Sequence, residues 1–285
     1  MGRDLTYAKA GCALILGLAV SHILFATWPQ IDLWVAGLFY RDGGFPLAET
    51  AWLETLRNGF WNLTIALTLG CLVMWLVTLM MGFRAHTPSR VWLFGWLSFV
   101  LGPGLLVNAL FKSFWGRARP AHLEQFGGDK LYTPPFEIAD QCARNCSFVS
   151  GEGAASVMFA LVVGVMFWRW VAPRYQPLFV TLLASTAAVF ALLRVVKGRH
   201  FLSDVTLGGW MMALVALGEL GSKRAREGVK GALNDDAAPI RFQAVMAYPR
   251  LCESHADASA ALLHATKDKD AEVRHIALRM AEELG

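Results

Sequence analysis

The stretch that decides the fold is LFVTLLASTAAVFALLRVV (178–196), then KGRH (197–200), then FLSDVTLGGWMMALVALGEL (201–220). Two apolar runs of about 20 residues, the length a bilayer-spanning helix needs, are joined by little more than Lys197-Gly198-Arg199. Polar residues with chemical capacity sit at the joint: Arg194, His200 and Asp204, spaced R-x5-H-x3-D. On a helix, Asp204 shares a face with His200. Its carboxylate is expected to accept the Nδ1 proton, leaving Nε2 with a free lone pair. A neutral imidazole held in that way can attack phosphorus. Far upstream, Lys112 and Arg119 occur as K-x6-R-P and supply two more cations for phosphate oxygens.

Outward from this joint, further apolar runs fall at about 10–28, 60–81, 91–111 and 153–171. With 178–196 and 201–220 they predict an all-α, polytopic membrane protein with six transmembrane helices. Charged residues make up only 17% of the chain, against about a quarter in soluble domains, which fits that class. The first run lacks a small-residue cleavage site and reads as a retained anchor. Residues 29–59 read as an interfacial connector with turn signals at Asp42–Pro46, and 112–149 as a long polar loop. A loop of that length is usually functional or disordered. Most of the eleven tryptophans read as interfacial belt residues.

Arg3, Lys9, Arg84, Arg90, Arg169, Arg174, Lys223, Arg224, Arg226 and Lys230 lie in loops almost free of acids. The positive-inside rule makes those loops, and both termini, cytoplasmic. Lys112, Arg119, Glu152, Arg194 and His200 then share the opposite, periplasmic surface of a bacterial inner membrane. The net charge of +4 is accounted for by anchoring charges and a phosphate site. No nucleic-acid motif, nucleotide loop or Cys-x2-Cys metal pattern is present. Cys12 and Cys71 fall in spans and Cys252 in the tail. Cys142 and Cys146 form C-x3-C in the outer loop, where a bracing disulfide and two free thiols both remain open.

Composition changes after Ser222, dividing the chain into a membrane domain, 1–221, and a cytoplasmic helical tail, 222–285. The tail carries a weak repeat at a spacing of 33: Asp235 matches Asp268, Ile240-Arg241 matches Val273-Arg274, and Ala244 matches Ala277. It resembles HEAT-like repeats, which stack to bury their apolar faces. Two copies are few for such a stack, so the tail is expected to lean on the membrane domain, on itself in a dimer, or on a partner protein. No chemistry is assigned to it.

Three blocks occur in fixed order: Lys112–Pro120 (KSFWGRARP), Cys146–Glu152 (CSFVSGE) and Arg194–Asp204 (RVVKGRHFLSD). Together, over about residues 10–220, they resemble the type 2 phosphatidic acid phosphatase superfamily, whose pattern is K-x6-R-P, P-S-G-H and S-R-x5-H-x3-D. The resemblance implies a metal-independent lipid phosphatase without a cofactor. His200 would be the nucleophile that forms a phosphohistidine, Asp204 its orienting carboxylate, and Lys112, Arg119 and Arg194 the phosphate ligands. Ser150 and Gly151 would donate hydrogen bonds at a helix start, where free N–H groups favour an anion. Leu193, Val149 and Glu152 depart from the pattern, the last replacing the histidine that protonates the leaving oxygen. A buried glutamic acid can take that role, nearby cations oppose it, and His122 is a substitute acid.

The substrate class implied is a membrane lipid phosphate monoester or diphosphate. The wording G-R-A-R-P and S-F-V-S-G-E leans towards lipid A, with undecaprenyl diphosphate, phosphatidylglycerophosphate and phosphatidic acid as alternatives. Two rival classes are an inactive lipid-phosphate-binding scaffold, motivated by Glu152, and a vanadate-dependent haloperoxidase. Arg117 and Arg199, flanking the motifs, read equally as substrate contacts or headgroup anchors, and Asn145 and Ser147 as residues that shape the loop.

Overall fold

A computed structural model describes residues 2–81, 89–135, 137–234, 241, 244–245 and 255–284. Arg84, Asp235, Ile240 and Cys252 lie outside the described residues. The described chain is helical, and its β-structure amounts to two isolated bridges, Arg41 to Gly44 and Leu123 to Lys130. Its elements are α1 (Gly2–Thr27), α2 (Gln30–Gly37), α3 (Ala51–Met81), α4 (Ser89–Phe99), α5 (Gly151–Phe167), α6 (Gln176–Val196), α7 (Leu202–Ala232), α8 (His255–Ala265) and α9 (Ala271–Leu284).

Four stretches are long and apolar enough to cross a bilayer: Ala51–Met80, Val91–Phe114, Gly151–Trp170 and Pro173–Val196. A fifth exists if α1 and α2, bent by 84° where Trp28-Pro29 interrupts them, count as one. The apolar part of α7, Leu202–Leu217, is shorter. Among the described residues the protein is thus a polytopic helical membrane protein with four to five candidate spans by length and composition, and the sixth expected span, 201–220, coincides with this shorter apolar helix. Leu69, Val73, Leu178 and Leu182 stand about half exposed on the spans, as side chains solvated by lipid must, since no internal partner is needed there.

Contacts divide the chain into two compact units, Met1–Trp75 with Arg90–Glu219, and Leu76–Ser89 with Leu220–Gly285. In the first, small residues set the helix spacing. A Cβ on Gly17 would lie 2.6 Å from the Trp210 ring, and one on Gly95 2.6 Å from Cys71 Sγ. Trp210 Nε1 donates to Ser21 Oγ at 2.9 Å, and Ser156 Oγ donates to the Ala187 carbonyl at 3.0 Å, tying α5 to α6. α4 continues as a π-helix, Val100–Phe111, and closes in the α-turn Lys112–Phe114. Pro103 inside it cannot supply a helical N–H, and wide turns of this kind often mark functional positions. The Asn108 amide donates to the Pro103 carbonyl at 2.7 Å.

Two expectations are corrected here. The connector 29–59 is not merely interfacial: α3 begins at Ala51, nine residues before the predicted span, and α2 buries Asp32 completely. The long loop is not a solvated polar excursion either. Ala118, Leu123 and Phe126 pack with Ala36, Phe45 and Phe201 into a core of their own.

The second unit has a small core of Val245, Leu262, Ala265, Val273, Ala277 and Met280. Arg241 Nε and Nη2 donate to the two oxygens of Asp268, each at 2.8 Å.

Candidate active site

Backbone hydrogen bonds knit the three sequence blocks together. Ser147 N donates to the Arg117 carbonyl at 2.9 Å, Ser150 N to Asp204 O at 3.2 Å, and His200 N to Arg194 O at 3.1 Å. Gly198, at φ +62, makes the turn after α6. A Cβ there would meet the Phe45 ring at 2.5 Å.

A cavity of about 260 Å³ opens where the blocks meet. Six basic side chains, Arg57, Lys112, Arg119, Arg194, Lys197 and Arg199, line it with two acidic ones, Glu54 and Glu152. Such an excess of fixed cations in a confined site favours a multivalent anion. Lys112 Nζ lies 3.3 Å from Asn145 Oδ1, and Arg119 Nη2 donates to the Asn145 carbonyl at 2.8 Å. Arg194 is 7% exposed, and its Nε is buried without a hydrogen-bond partner. A buried donor left unpaired is costly, and an anion in the cavity would relieve it. Arg199 faces this cavity; Arg117 does not.

The predicted helix start is present. Ser150 caps α5, its Oγ accepting the Gly153 N–H at 3.1 Å. Gly151 is buried, and a Cβ on it would sit 3.0 Å from Lys112 Nζ and 3.1 Å from Asn108 Oδ1. Glycine thus lets the lysine approach the helix end.

His200 is 1% exposed. Burial lowers its pKa to about 4, helped by Lys112 and Arg194 and opposed by Asp204, so the imidazole is neutral at neutral pH. Its Nδ1 lies 2.7 Å from the Ser147 carbonyl oxygen and 3.7 Å from Asp204 Oδ2. A carbonyl only accepts, so Nδ1 carries the proton and Nε2 the lone pair. This revises the expected route: the direct acceptor is the Ser147 backbone, and Asp204 stands behind it. Asp204 Oδ2 accepts from Ser147 Oγ at 2.5 Å and from the Phe201 N–H at 2.9 Å. The second bond is half of a capping box at the start of α7.

The expectation for Arg117 also changes. It touches neither substrate space nor headgroups but is fully buried, donating to Asp204 Oδ1 at 2.6 Å and Asp32 Oδ2 at 2.8 Å. Two carboxylates reached from different elements hold it inside, which the local pattern G-R-A-R-P does not reveal.

Neither Arg57 nor Glu54 is a candidate site residue by sequence, because the expected span begins at residue 60 and leaves both in the connector 29–59. Arg57 Nε and Nη2 donate to Glu152 Oε2 and Oε1, both at 2.7 Å, and a third bond joins Arg57 to Glu54. Arg194 adds a contact to Glu152 at 3.4 Å, and Lys197 Nζ donates to Glu54 at 2.5 Å. The polar interruption E-x2-R in an otherwise apolar run was the available signal. Glu152 is therefore an ion-paired carboxylate here. His122 is exposed and is not among the side chains lining the cavity. Cys142 and Cys146 form a disulfide beside Asn145. Among the described residues, no group of three or more His, Cys, Asp or Glu could hold a metal ion.

The sequence has counterparts among known proteins. The PAP2 superfamily matches residues 92–225. A lipid A 4'-phosphatase of Francisella tularensis subsp. novicida is 35% identical over 216 residues, covering 69% of this chain and 89% of the relative. Lipid A 4'-phosphatases of Rhizobium leguminosarum and Rhizobium etli are 31% and 30% identical, covering 69% of this chain and 88% and 80% of their own lengths. No solved structure matches the chain.

Proposed function

The chain belongs to the PAP2 superfamily and is a membrane lipid phosphatase, a phosphoric ester hydrolase, and from that premise we propose that it removes a phosphate monoester from lipid A by way of a phosphohistidine on His200. The observation that carries the mechanism is the buried, neutral imidazole whose Nδ1–H is taken by the Ser147 carbonyl. It leaves Nε2 as the attacking nitrogen; His200 is not itself among the side chains lining the cation cavity, but Lys112 and Arg194, whose charges act on it, are. The lipid A preference rests on the three relatives, and the family match over 92–225 contains all three blocks.

In this reading the phosphate enters the cavity between Lys112, Arg119 and Arg194, with N–H groups at the start of α5 behind it. Nε2 forms a bond to phosphorus as the bond to the leaving sugar oxygen breaks in line. The three cations take up charge on the equatorial oxygens, where preorganised donors are most effective. Glu152 faces the same cavity. The entering phosphate competes for Arg194, and a proton shared between phosphate and Glu152 can pass to the leaving oxygen. In the second half the Glu152 carboxylate accepts a proton from the water that cleaves the N–P bond.

Asn108, one turn from Lys112, also borders an apolar groove of about 530 Å³ between α3 and the π-helix, with Trp61, Leu69, Phe99 and Leu105 on its walls. Asn108 Oδ1 and Lys112 Nζ approach the same point beside Gly151, which suits a substrate whose tail stays in lipid while its headgroup reaches the cations. The cavity faces the periplasm in this reading, with both termini cytoplasmic, and 222–285 serves as a helical tail for self-association or a partner.

The test is phosphate release by purified protein in detergent with EDTA. The panel is lipid A, undecaprenyl diphosphate, phosphatidylglycerophosphate and phosphatidic acid, alongside His200→Ala. Release from lipid A that survives EDTA and disappears in the variant supports the proposal. Faster release from another lipid corrects the substrate. Binding without any release would favour the scaffold reading.

A further inference from the structure

A chain of buried polar groups runs from α2 to the proposed nucleophile. Asp32, Ser147, Ser203, Asp204 and Arg117 are all fully buried. Asp32 on α2 accepts the Ser203 N–H at 2.9 Å, the Ser203 hydroxyl at 2.5 Å and the Arg117 Nη2 at 2.8 Å. Arg117 also donates Nη1 to Ser203 Oγ at 2.9 Å and to Asp204 Oδ1 at 2.6 Å, and Nε to the Thr133 carbonyl at 2.9 Å. Its guanidinium lies 4.2 Å from the Phe201 ring centre. Asp204 then holds the Ser147 hydroxyl, and the Ser147 carbonyl holds His200.

This cluster is expensive. Two carboxyl groups and a guanidinium taken out of water carry a desolvation penalty that pairing only partly repays, and well-packed apolar residues can fill such a space at no loss of stability. None of the three charges lines the phosphate cavity, so none is retained to hold substrate. What the cluster does accomplish is geometric. With the fifth N–H directed to the Tyr132 hydroxyl at 3.4 Å, every N–H of the guanidinium is committed, so the Asp204 carboxylate has one orientation, and so does the serine whose carbonyl selects the imidazole tautomer.

We infer that Arg117 and Asp32, acting through Asp204 and the Ser147 hydroxyl, are positioning residues that aim His200 Nε2 at phosphorus. Asp204, paired with Arg117 and bonded to the Ser147 hydroxyl, is the carboxylate nearest the imidazole. As the Nε2–P bond forms and the P–O bond breaks, Nδ1 keeps its proton and the ring becomes cationic. The carboxylates behind Ser147 then face a positive charge that is absent before attack. The interaction is strongest in the transition state, so its loss lowers kcat rather than raising KM.

This inference rests on the phosphohistidine reading, and the experiment separates the two. Full-chain protein in detergent is compared with Ser147→Ala, Arg117→Lys and Asp32→Asn for kcat and KM on lipid A. Direct binding of orthovanadate is compared with binding of inorganic phosphate. Vanadate adopts a five-coordinate geometry with an aimed imidazole nitrogen, whereas phosphate needs only the cations. Ser147→Ala and Arg117→Lys are expected to lower kcat by about 10- to 100-fold, the range carried by outer partners of an oriented imidazole. KM should stay within about twofold, and vanadate binding should weaken while phosphate binding does not. Should the Arg117 and Asp32 variants fail to fold, Ser147→Ala, which removes one oxygen, decides alone. Unchanged kcat and vanadate binding in Ser147→Ala, or equal loss of vanadate and phosphate binding, would overturn the inference. Absence of phosphate release by the unmodified chain would instead sink the phosphatase reading, and vanadate binding would still test the positioning.

Discussion

Arg57 grips both carboxylate oxygens of Glu152, at 2.7 Å each, across 95 positions of sequence. A bidentate guanidinium is among the stronger partners a carboxylate can have. Here it fixes the group that stands where the related pattern has a histidine.

Removing that grip should cost catalysis more than stability. Arg57→Ala is expected to lower kcat/KM by about 10- to 100-fold, the loss that follows when a proton-transferring group is no longer positioned. Arg57→Lys should fall between the two, because an ammonium cannot form the paired contact. Steady-state phosphate release settles it, with Glu152→Gln as the reference for complete loss of the carboxylate.

The acid limb of the pH–rate profile is expected well below an ordinary histidine. His200 titrates at about 4 against an unperturbed 6.5, mainly because it is buried. Lys112 and Arg194 disfavour its protonation further, Asp204 favours it, and Glu152 is electrostatically coupled to it. Between those two values the unfolded chain binds a proton that the folded chain refuses. Stability from this site is therefore intact above pH 6.5 and erodes as pH falls towards 4. The melting temperature of the unmodified chain minus that of His200→Asn, followed from pH 8 to 4, should shrink in that interval.

Reduction should loosen the rim of the cavity. The Cys142–Cys146 bridge closes a short loop beside Asn145, whose carbonyl and side chain face Arg119 and Lys112. Chain entropy gives such a loop about 2 kcal/mol. Cys142→Ser/Cys146→Ser, or treatment with dithiothreitol, is expected to lower the melting temperature by a few degrees and raise KM severalfold, with a smaller effect on kcat.

In the second unit, Arg241→Ala should unfold structure without touching chemistry. Arg241 is 4% exposed, and its pair with Asp268 is the main reason the Asp268 carboxyl falls to about 2. Breaking a buried pair from one side costs about 3–5 kcal/mol. Limited proteolysis should cut the variant's tail faster while phosphate release stays at the level of the unmodified chain. Because Asp268 is lowered from 3.8, the stabilisation it brings is present above that value and is lost as pH falls towards 2.

Much of the site was legible before folding because its signals are local. The H-x3-D spacing, the K-x6-R-P block and the serine before Gly151 are fixed by covalent distance and helix period. Apolar runs reported helices because lipid-facing and core-facing positions both demand apolar residues. The start of α3 was misplaced for the same reason. Glu54 and Arg57 read as the polar end of a connector until their partners, Lys197 and Glu152, were known.

Taken alone, the sequence determined a helical membrane protein and the three blocks of a candidate phosphate site around His200, since both follow from periodicity and spacing along one chain. Tertiary structure alone decided which charges meet. Arg117 finds Asp32 and Asp204, Ser147 rather than Asp204 takes the His200 proton, and Arg57 claims Glu152. Each pair joins residues more than 50 positions apart. Burial makes an unpaired charge untenable, so the partner is dictated by whichever element packing brings within reach, and no local pattern records that.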